Sequence, residues 1–339
     1  MFKALTFRPA SIGDALMGKY FLENIRAEHP DARLGIVVGS RAGMLKDLFA
    51  GEPWLEVVEA NRRNLPALMK MWRGWRGSEI VLTNYTAGTL NLSAKLMGRL
   101  LAKRGALAGF DDSSSVNHFL YDHLLPRPIR DRAVRLHECD ALQALGVPVA
   151  HERLTLQYVP MVGVAEKFSI SGDYVIVHLF SGSKTRGLET EQMRTLLIKL
   201  HKLMPDITLV LSGGAGDASE AAEASEGLPA VVIAGRASLQ ELMNLIVGSR
   251  VVVSLDTGVG HLAAHLGRPP VIMSTCLGRI SWWGPDQYGF NKFTTGGPGI
   301  PAALFTRADR CVGGHVFKSY PDCLVSIDMH AVAEKTATV

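Results

Sequence analysis

The apolar, β-branched run Val251–Leu255 ends in Asp256, Thr257 and Gly258, and His261 follows one helical turn later. A carboxylate, a hydroxyl and a glycine at a strand end, leading straight into a helix, suit an anion held by backbone N–H groups and the helix dipole. The Thr257 hydroxyl is expected to help cap that helix, and His261 to point the same way. A histidine packed for structure is the plainer alternative. A second such place is HLFSGSKTRGLETEQ, residues 178–192, where Ser181, Gly182, Ser183 and Lys184 put hydroxyls, a pliable backbone and a cation ahead of a helix. It suits a phosphate or is a solvated turn. It is not a Walker loop, because the GxxxxGK[ST] spacing is missing.

A third is LVLSGGAGDASE, residues 209–220, where glycines end a strand and Asp217 starts a helix. An acid there can accept hydrogen bonds from the two hydroxyls of a ribose. The GxGxxG fingerprint is missing after the first strand of a unit, so NAD is not expected. The fourth is Arg8-Pro-Ala-Ser11-Ile-Gly13-Asp14, directly after the first apolar run. Asp14 is either a helix cap or a general base.

Parallel strands are what place such residues together. KALTFRP, RLGIVVG, LEVVEA, EIVLTN and ALAGF read as strands, separated by helical periodicity in ALMGKYFLENIRAEHP and TLNLSAKLMGRLLAKR. RAVRLHECDALQALG closes this half at Gly146. After a Pro- and Val-rich stretch to about Gly172 the pattern restarts with YVIVHLF, ITLVLSG, AVVIAG, VVVSLD and PVIMS. Helices are expected at 189–203, 217–226, 238–248 and 259–266. Apolar strands alternating with helices mean parallel sheets covered on both faces. The expected fold is therefore α/β, two Rossmann-like doubly wound domains, with ligands outside the carboxyl ends of the strands and the active site in a cleft between the halves. The boundaries read as 1–160, 161–325 and a tail at 326–339. The chain beyond Pro301 is hard to read.

At 339 residues the length favours two domains. A net charge of +4 suits a phosphorylated ligand or an anionic membrane surface and is too weak to imply nucleic acid. No apolar run approaches the roughly 18 residues of a membrane span, and MFKALTFRP is a strand, not a signal segment. Cys139, Cys276, Cys311 and Cys323 are too scattered for a disulfide framework, and Cys311, His315 and Cys323 fit no common zinc spacing. MKMWRGWRG at 69–77 mixes Trp with Arg and Lys. It could touch a membrane or an acidic acceptor, or be a helix end with a buried Trp. No Asp-X-Asp occurs in the chain.

The run SLDTGVGHLAAHLG, with SLQELMNLI upstream, resembles glycosyltransferase family 9, the ADP-heptose:lipopolysaccharide heptosyltransferases. The family's Asp-Thr-Gly-x-x-His-Leu-Ala motif is matched from Asp256 to Ala263, its opening motif by Arg8-x-x-Ser11-Ile12-Gly13-Asp14, and its glycine-rich turn by SGGAGD. The resemblance implies the GT-B fold, two Rossmann-like domains facing across a cleft, and inverting transfer by single displacement. It implies Asp14 as general base, with Arg8, Ser11 and Gly13 on the acceptor side. Lys184, Ser183, Thr257 and Gly258 would stabilise the departing diphosphate, and Ser181 and Asp256 belong to the same donor site. Asp217 would hold the ribose, Gly235–Ser238 with Ala237 would line the adenine pocket, and His261 would contact the diphosphate or the sugar. No cofactor or metal is implied. The expected partners are ADP-heptose and a glycolipid or oligosaccharide acceptor, and the expected place is the cytoplasm, with peripheral inner-membrane association. One motif departs: the family's Lys-x-Trp-Pro is here Lys184-Thr185-Arg186-Gly187. That leaves the sugar open, with a UDP- or GDP-sugar transferase and a catalytically silent nucleotide-sugar-binding protein as alternatives.

Overall fold

The computed structural model describes residues 1–61, 63–83, 92–128, 132–151, 154–182, 187–274, 303–306 and 322–339. They form two compact units, Met1–Gln157 and Tyr158–Val339.

The first unit has six parallel strands: β1 (Lys3–Phe7), β2 (Arg33–Val38), β3 (Leu55–Glu59), β4 (Ile80–Leu82), β5 (Leu107–Phe110) and β6 (His123–Leu125), in the order β3-β2-β1-β4-β5-β6. β1 lies in register with both neighbours, Thr6 opposite Ile36 and Leu82. Its helices are α1 (Ile12–Glu28), α2 (Ala42–Leu48), α3 (Leu65–Trp75), α4 (Leu92–Leu101), α5 (Asn117–Leu120) and α6 (Val134–Ala144). Trp75 is buried among Leu5, Val37 and Val81, so one of the two tryptophans in MKMWRGWRG serves the core, and Trp72 is only partly buried.

The second unit repeats the design. β7 (Tyr174–His178), β8 (Thr208–Leu211), β9 (Ala230–Val232), β10 (Val252–Leu255), β11 (Pro270–Ser274) and β12 (Ala303–Thr306) run parallel in the order β12-β11-β10-β7-β8-β9. Each sheet thus reverses its strand order beside its own first strand, between β1 and β4 and between β7 and β10. The helices are α7 (Val164–Lys167), α8 (Thr190–Leu203), α9 (Ala218–Ala224), α10 (Leu239–Gly248), α11 (Gly258–His265), α12 (Asp322–Val325) and α13 (Met329–Thr338). α13 packs on α8 through Val332 and Ala333, so the tail belongs to this unit's core. Cys139 and Cys323, the described cysteines, are buried and form no disulfide.

α1 is buried on almost every side from Ala15 to Ile25, polar residues included. The reason is the chain at 150–151 and 154–157, which lies over it without regular structure. Asn24 Oδ1 accepts from the N–H groups of Ala150 and His151 at 2.8 and 2.9 Å, and the Tyr20 hydroxyl donates to the His151 carbonyl at 2.7 Å. Lys19, fully buried, donates to the Thr155 carbonyl at 2.6 Å and pairs with Glu23 and Glu52 at 2.9 and 3.2 Å. Glu52 in turn accepts from the Gln157 N–H at 2.8 Å. A buried ammonium persists only when paired and hydrogen-bonded, and this one is both. Beyond the boundary the chain is held the same way by the second unit: the N–H groups of Val159 and Met161 donate to Gln240 and Asn244 of α10 at 2.9 and 2.8 Å.

Candidate active site

In the first unit, Arg8 and Asp14 follow β1, beside the reversal point. Ser11, not Asp14, is the N-cap of α1. Its hydroxyl accepts from the Asp14 N–H at 3.3 Å, which places Asp14 in the first turn and answers the cap reading. Ser and Asp three apart is the spacing in which a cap side chain satisfies an orphan amide. The Ser11 hydroxyl also donates to Asp14 Oδ2 at 2.5 Å. Asp14 Oδ1 is buried with no hydrogen-bond partner among the described residues. Burial raises the Asp14 carboxyl above its ordinary pKa, against the hydrogen bond from Ser11 and the charge of Arg8.

Arg8 is buried and its Nη2 lies 2.6 Å from Glu138 Oε2, both side chains fully enclosed. A Cβ on Gly18 would stand 2.9 Å from Arg8 Cγ, so the arginine stem lies across that glycine. Burial raises the pKa of Glu138 as well, helped by the nearby charge of Asp14 and opposed by Arg8. Arg8, Asp14 and Glu138 therefore form one charged array, with Arg135 and His137 also on α6.

In the second unit the candidates occupy the carboxyl ends of four neighbouring strands, β10, β7, β8 and β9. Asp256, after β10, is half-buried; Ser274 Oγ donates to its Oδ2 at 3.4 Å and His261 Nε2 stands 3.8 Å from its Oδ1. His261 is buried, and that burial pushes its imidazole below the ordinary pKa. Thr257 occupies the N-cap of α11 but makes no side-chain cap bond. Its hydroxyl lies 3.2 Å from Ser254 Oγ, which corrects the expected capping role. The Thr257 hydroxyl is engaged by Ser254 of β10, whose own proton goes to the Leu255 carbonyl, and the amides at the start of α11 are left to other acceptors.

Ser181 and Gly182 follow β7, while Ser183 and Lys184 lie outside the described residues, as do Cys311 and His315. After β8, Asp217 closes a single 3₁₀ turn, Ala215–Asp217, and its Oδ2 accepts from the Gly214 N–H at 2.8 Å. The Gly235 N–H donates to the Gly213 carbonyl at 3.0 Å, which brings this turn against the Gly235–Ala237 segment after β9. Gly235 has φ +70°, and a Cβ there would meet Ala215 Cα at 2.7 Å, so the close approach of the two turns requires glycine. Ser238 then caps α10 in a capping box with Glu241.

The sequence reading passed over His178 and Glu138. His178 ends β7; its Nδ1 lies 3.1 Å from Ser212 Oγ, and burial pushes its pKa down to about 4 despite the charge of Asp217. Its place at a strand end was a usable signal, the same one that marked Asp256. Glu138 gave none, because its partner lies 130 residues upstream.

The model of glycosyltransferase family 9 (heptosyltransferase) matches residues 87–273, more than half of the chain. The chain belongs to glycosyltransferase family 9. Lipopolysaccharide heptosyltransferase 1 of Salmonella typhimurium is 35% identical over 77 residues, which are 22% of this family 9 chain and 24% of that protein, about a quarter of the relative's length. Among solved structures, the family 9 glycosyl transferase from Veillonella parvula is 15% identical, with a TM-score of 0.76 over 99% of this chain and 97% of that one. E. coli ADP-heptose lps heptosyltransferase II gives 0.70 at 15% identity over 100% and 98%. E. coli heptosyltransferase WaaC with ADP gives 0.65 at 19% identity over 89% and 93%. At such identities the likeness is one of fold, and the fold of this family 9 chain is the two-sheet α/β GT-B architecture. Among the described residues no helix is long and apolar enough to cross a membrane.

Proposed function

We propose that this chain is an inverting, metal-independent glycosyltransferase that moves a sugar from a nucleoside diphosphate, with ADP-heptose as the expected donor, to a hydroxyl of a lipopolysaccharide-core or related glycan. The observation that carries the proposal is Asp14: a carboxylate in the first turn of the helix after β1, with one oxygen held by Ser11 and the other buried without a hydrogen-bond partner among the described residues. An oxygen so placed is available to a substrate proton, and a carboxyl whose proton affinity is raised by burial is a stronger base once ionised.

In this reading Asp14 Oδ1 takes the proton of the acceptor hydroxyl while that oxygen attacks the anomeric carbon. The bond from that carbon to the diphosphate oxygen breaks, and the nucleoside diphosphate leaves with the electron pair. A single displacement inverts the anomeric centre. Charge grows on the departing diphosphate, which the amides at the start of α11, Ser183 and Lys184 would stabilise. Preorganised donors of this kind contribute roughly 3–4 kcal/mol each to the barrier. Asp217 would take the ribose hydroxyls and Ala237 would lie along the base. Two features of the second unit support that division: the four neighbouring strand ends, and the contact between the Gly213 and Gly235 turns. His178 and His261, kept neutral by burial, can serve as hydrogen-bonding groups without adding charge. The reading places the protein on the cytoplasmic side of the inner membrane, peripherally, where its acceptor would lie.

Calorimetry with ADP, UDP, GDP and adenosine, on wild type, Asp14→Ala and Lys184→Ala, tests the reading. ADP is expected to bind far more tightly than adenosine. Lys184→Ala should narrow that gap by about 10–150-fold, the equivalent of a charged hydrogen bond worth about 1.5–3 kcal/mol. Asp14→Ala should keep ADP affinity and lose transfer. Preference for UDP or GDP would reassign the donor. Equal binding of ADP and adenosine would remove the phosphate site, and transfer surviving Asp14→Ala would remove the base.

A further inference from the structure

α4 is built the wrong way round for a helix covering a sheet. The residues it turns inward include Lys95 and Gly98, with Lys95 Nζ held by Asp112 at 2.8 Å and Asn117 at 2.6 Å. The residues it turns outward are Leu92, Leu96 and Leu100, 45–62% exposed and spaced four apart on one stripe. Phe119 of α5, 87% exposed, stands on the neighbouring helix, which Arg99 ties to α4 through the Leu120 carbonyl. α3, packed beside α4, exposes Leu65 and Met69 together with Lys70, Arg73 and Arg76.

Charge on this face is equally uneven. Residues 61–125, which carry all three helices, hold nine Lys and Arg and four acids, a net +5 in a chain of net +4, so the rest of the molecule is net negative. Arg63, Lys70, Arg73, Arg76 and Arg104 are exposed and have no acidic partner among the described residues. A stripe of leucines rimmed by unpaired cations fits an interface that is apolar within and anionic at its surface. A second copy fits poorly, because an isologous contact would set this positive face against itself.

We infer that the outward face of α3, α4 and α5 is a docking surface for an anionic lipid bilayer, into which Leu92, Leu96, Leu100 and Phe119 insert while the basic residues meet the headgroups. It rests on the functional reading only in taking the acceptor to be membrane-bound. The test is flotation of the full chain with vesicles of phosphatidylethanolamine and phosphatidylglycerol, and with vesicles of phosphatidylcholine alone. Wild type should float with the first, less so at high salt, and hardly with the second.

Each cation near an anionic surface strengthens partition by about fivefold, so Lys70→Glu with Arg73→Glu should weaken it by at least about 25-fold. Leu92→Ser, Leu96→Ser and Leu100→Ser together should weaken it more than about tenfold. Ile198→Ser with Leu203→Ser, exposed on α8, should change nothing, and circular dichroism checks that every variant is folded. Wild type that ignores anionic vesicles, or a triple leucine variant that binds like wild type, overturns the inference. So does self-association that the leucine substitutions abolish in a protein that binds no vesicles, since the face then belongs to a second copy. Vesicle binding without any sugar transfer would sink the functional reading and leave this one standing.

Discussion

The substitution Glu138→Gln keeps the shape of the side chain and removes its charge, which isolates what the ion pair with Arg8 contributes. Both partners are fully enclosed and 2.6 Å apart. The arginine stem is laid across Gly18, so the guanidinium has no easy path to water. Removing one member of a buried pair costs about 3–5 kcal/mol, and the retained amide oxygen, still able to accept from Arg8, places the loss near about 3 kcal/mol. For a unit the size of Met1–Gln157 that corresponds to a melting temperature lower by about 6–12 °C. A second effect follows. Glu138 and Asp14 repel one another through their charges, and Arg8 attracts both. With Glu138 neutral, the field of Arg8 falls on Asp14 alone, its pKa drops, and the acid limb of kcat/KM moves to lower pH. Differential scanning calorimetry and a pH–rate profile read the two effects separately. A melting temperature within about 2 °C of wild type, with the limb unmoved, would refute the reasoning.

Asp14→Asn should lower transfer by about 10²–10⁴-fold and yet raise stability. The raised pKa means the native state binds this proton more tightly than the unfolded chain, so stability is full below the ordinary carboxylate range and lost as pH rises through the raised value. The variant should therefore melt above wild type at about pH 8 and converge with it in acid; a less stable variant at neutral pH would count against burial as the cause. His178, with its pKa pushed down to about 4, stays neutral in the native state, and the stability it contributes is full above about pH 6.5 and lost as pH falls through about 4. Its ring resonances should not titrate between about pH 5 and 8, and a midpoint near the free-imidazole value would refute the assignment. Gly235→Ala, facing both a positive φ and the Ala215 backbone at 2.7 Å, should cost about 1–3 kcal/mol and weaken ADP binding. Unchanged calorimetry would detach this turn from the donor site.

The alternation of apolar strands and amphipathic helices was enough to read both sheets, because β1, β7 and β10 are buried on two faces and therefore mostly apolar. β6 and β12 escaped notice: β6 has only two apolar residues, between Asp122-His123 and Pro126, and β12 lies in the stretch beyond Pro301 that was hard to read. Asp14, Asp217 and Asp256 were legible because each stands where a strand ends, a position visible in the chain. Glu138, Lys19 and Asn24 were not. Each is a polar residue inside a helix, indistinguishable in sequence from a solvated one, and buried only because a partner more than a hundred residues distant meets it. The hydroxyl of Thr257 was assigned by its position to the helix, and the nearby hydroxyl of Ser254 claimed it instead.

The strap from Ala150 to Gln157 has a consequence for anyone who cuts this chain apart. Its described residues, 150–151 and 154–157, have no regular secondary structure and would pass for a linker, yet their backbone supplies acceptors and donors that Tyr20, Lys19, Asn24 and Glu52 depend on. A first-unit fragment ended at Gly146, where α6 gives out, would bare the flank of α1 to water and leave Lys19 with two acids but without its carbonyl. The same fragment carried through Gln157 keeps every one of those partners. The second unit has its own limit, since its α10 side chains hold the backbone at Val159 and Met161. A cut at the peptide between Gln157 and Tyr158 keeps each of these hydrogen bonds within its own fragment.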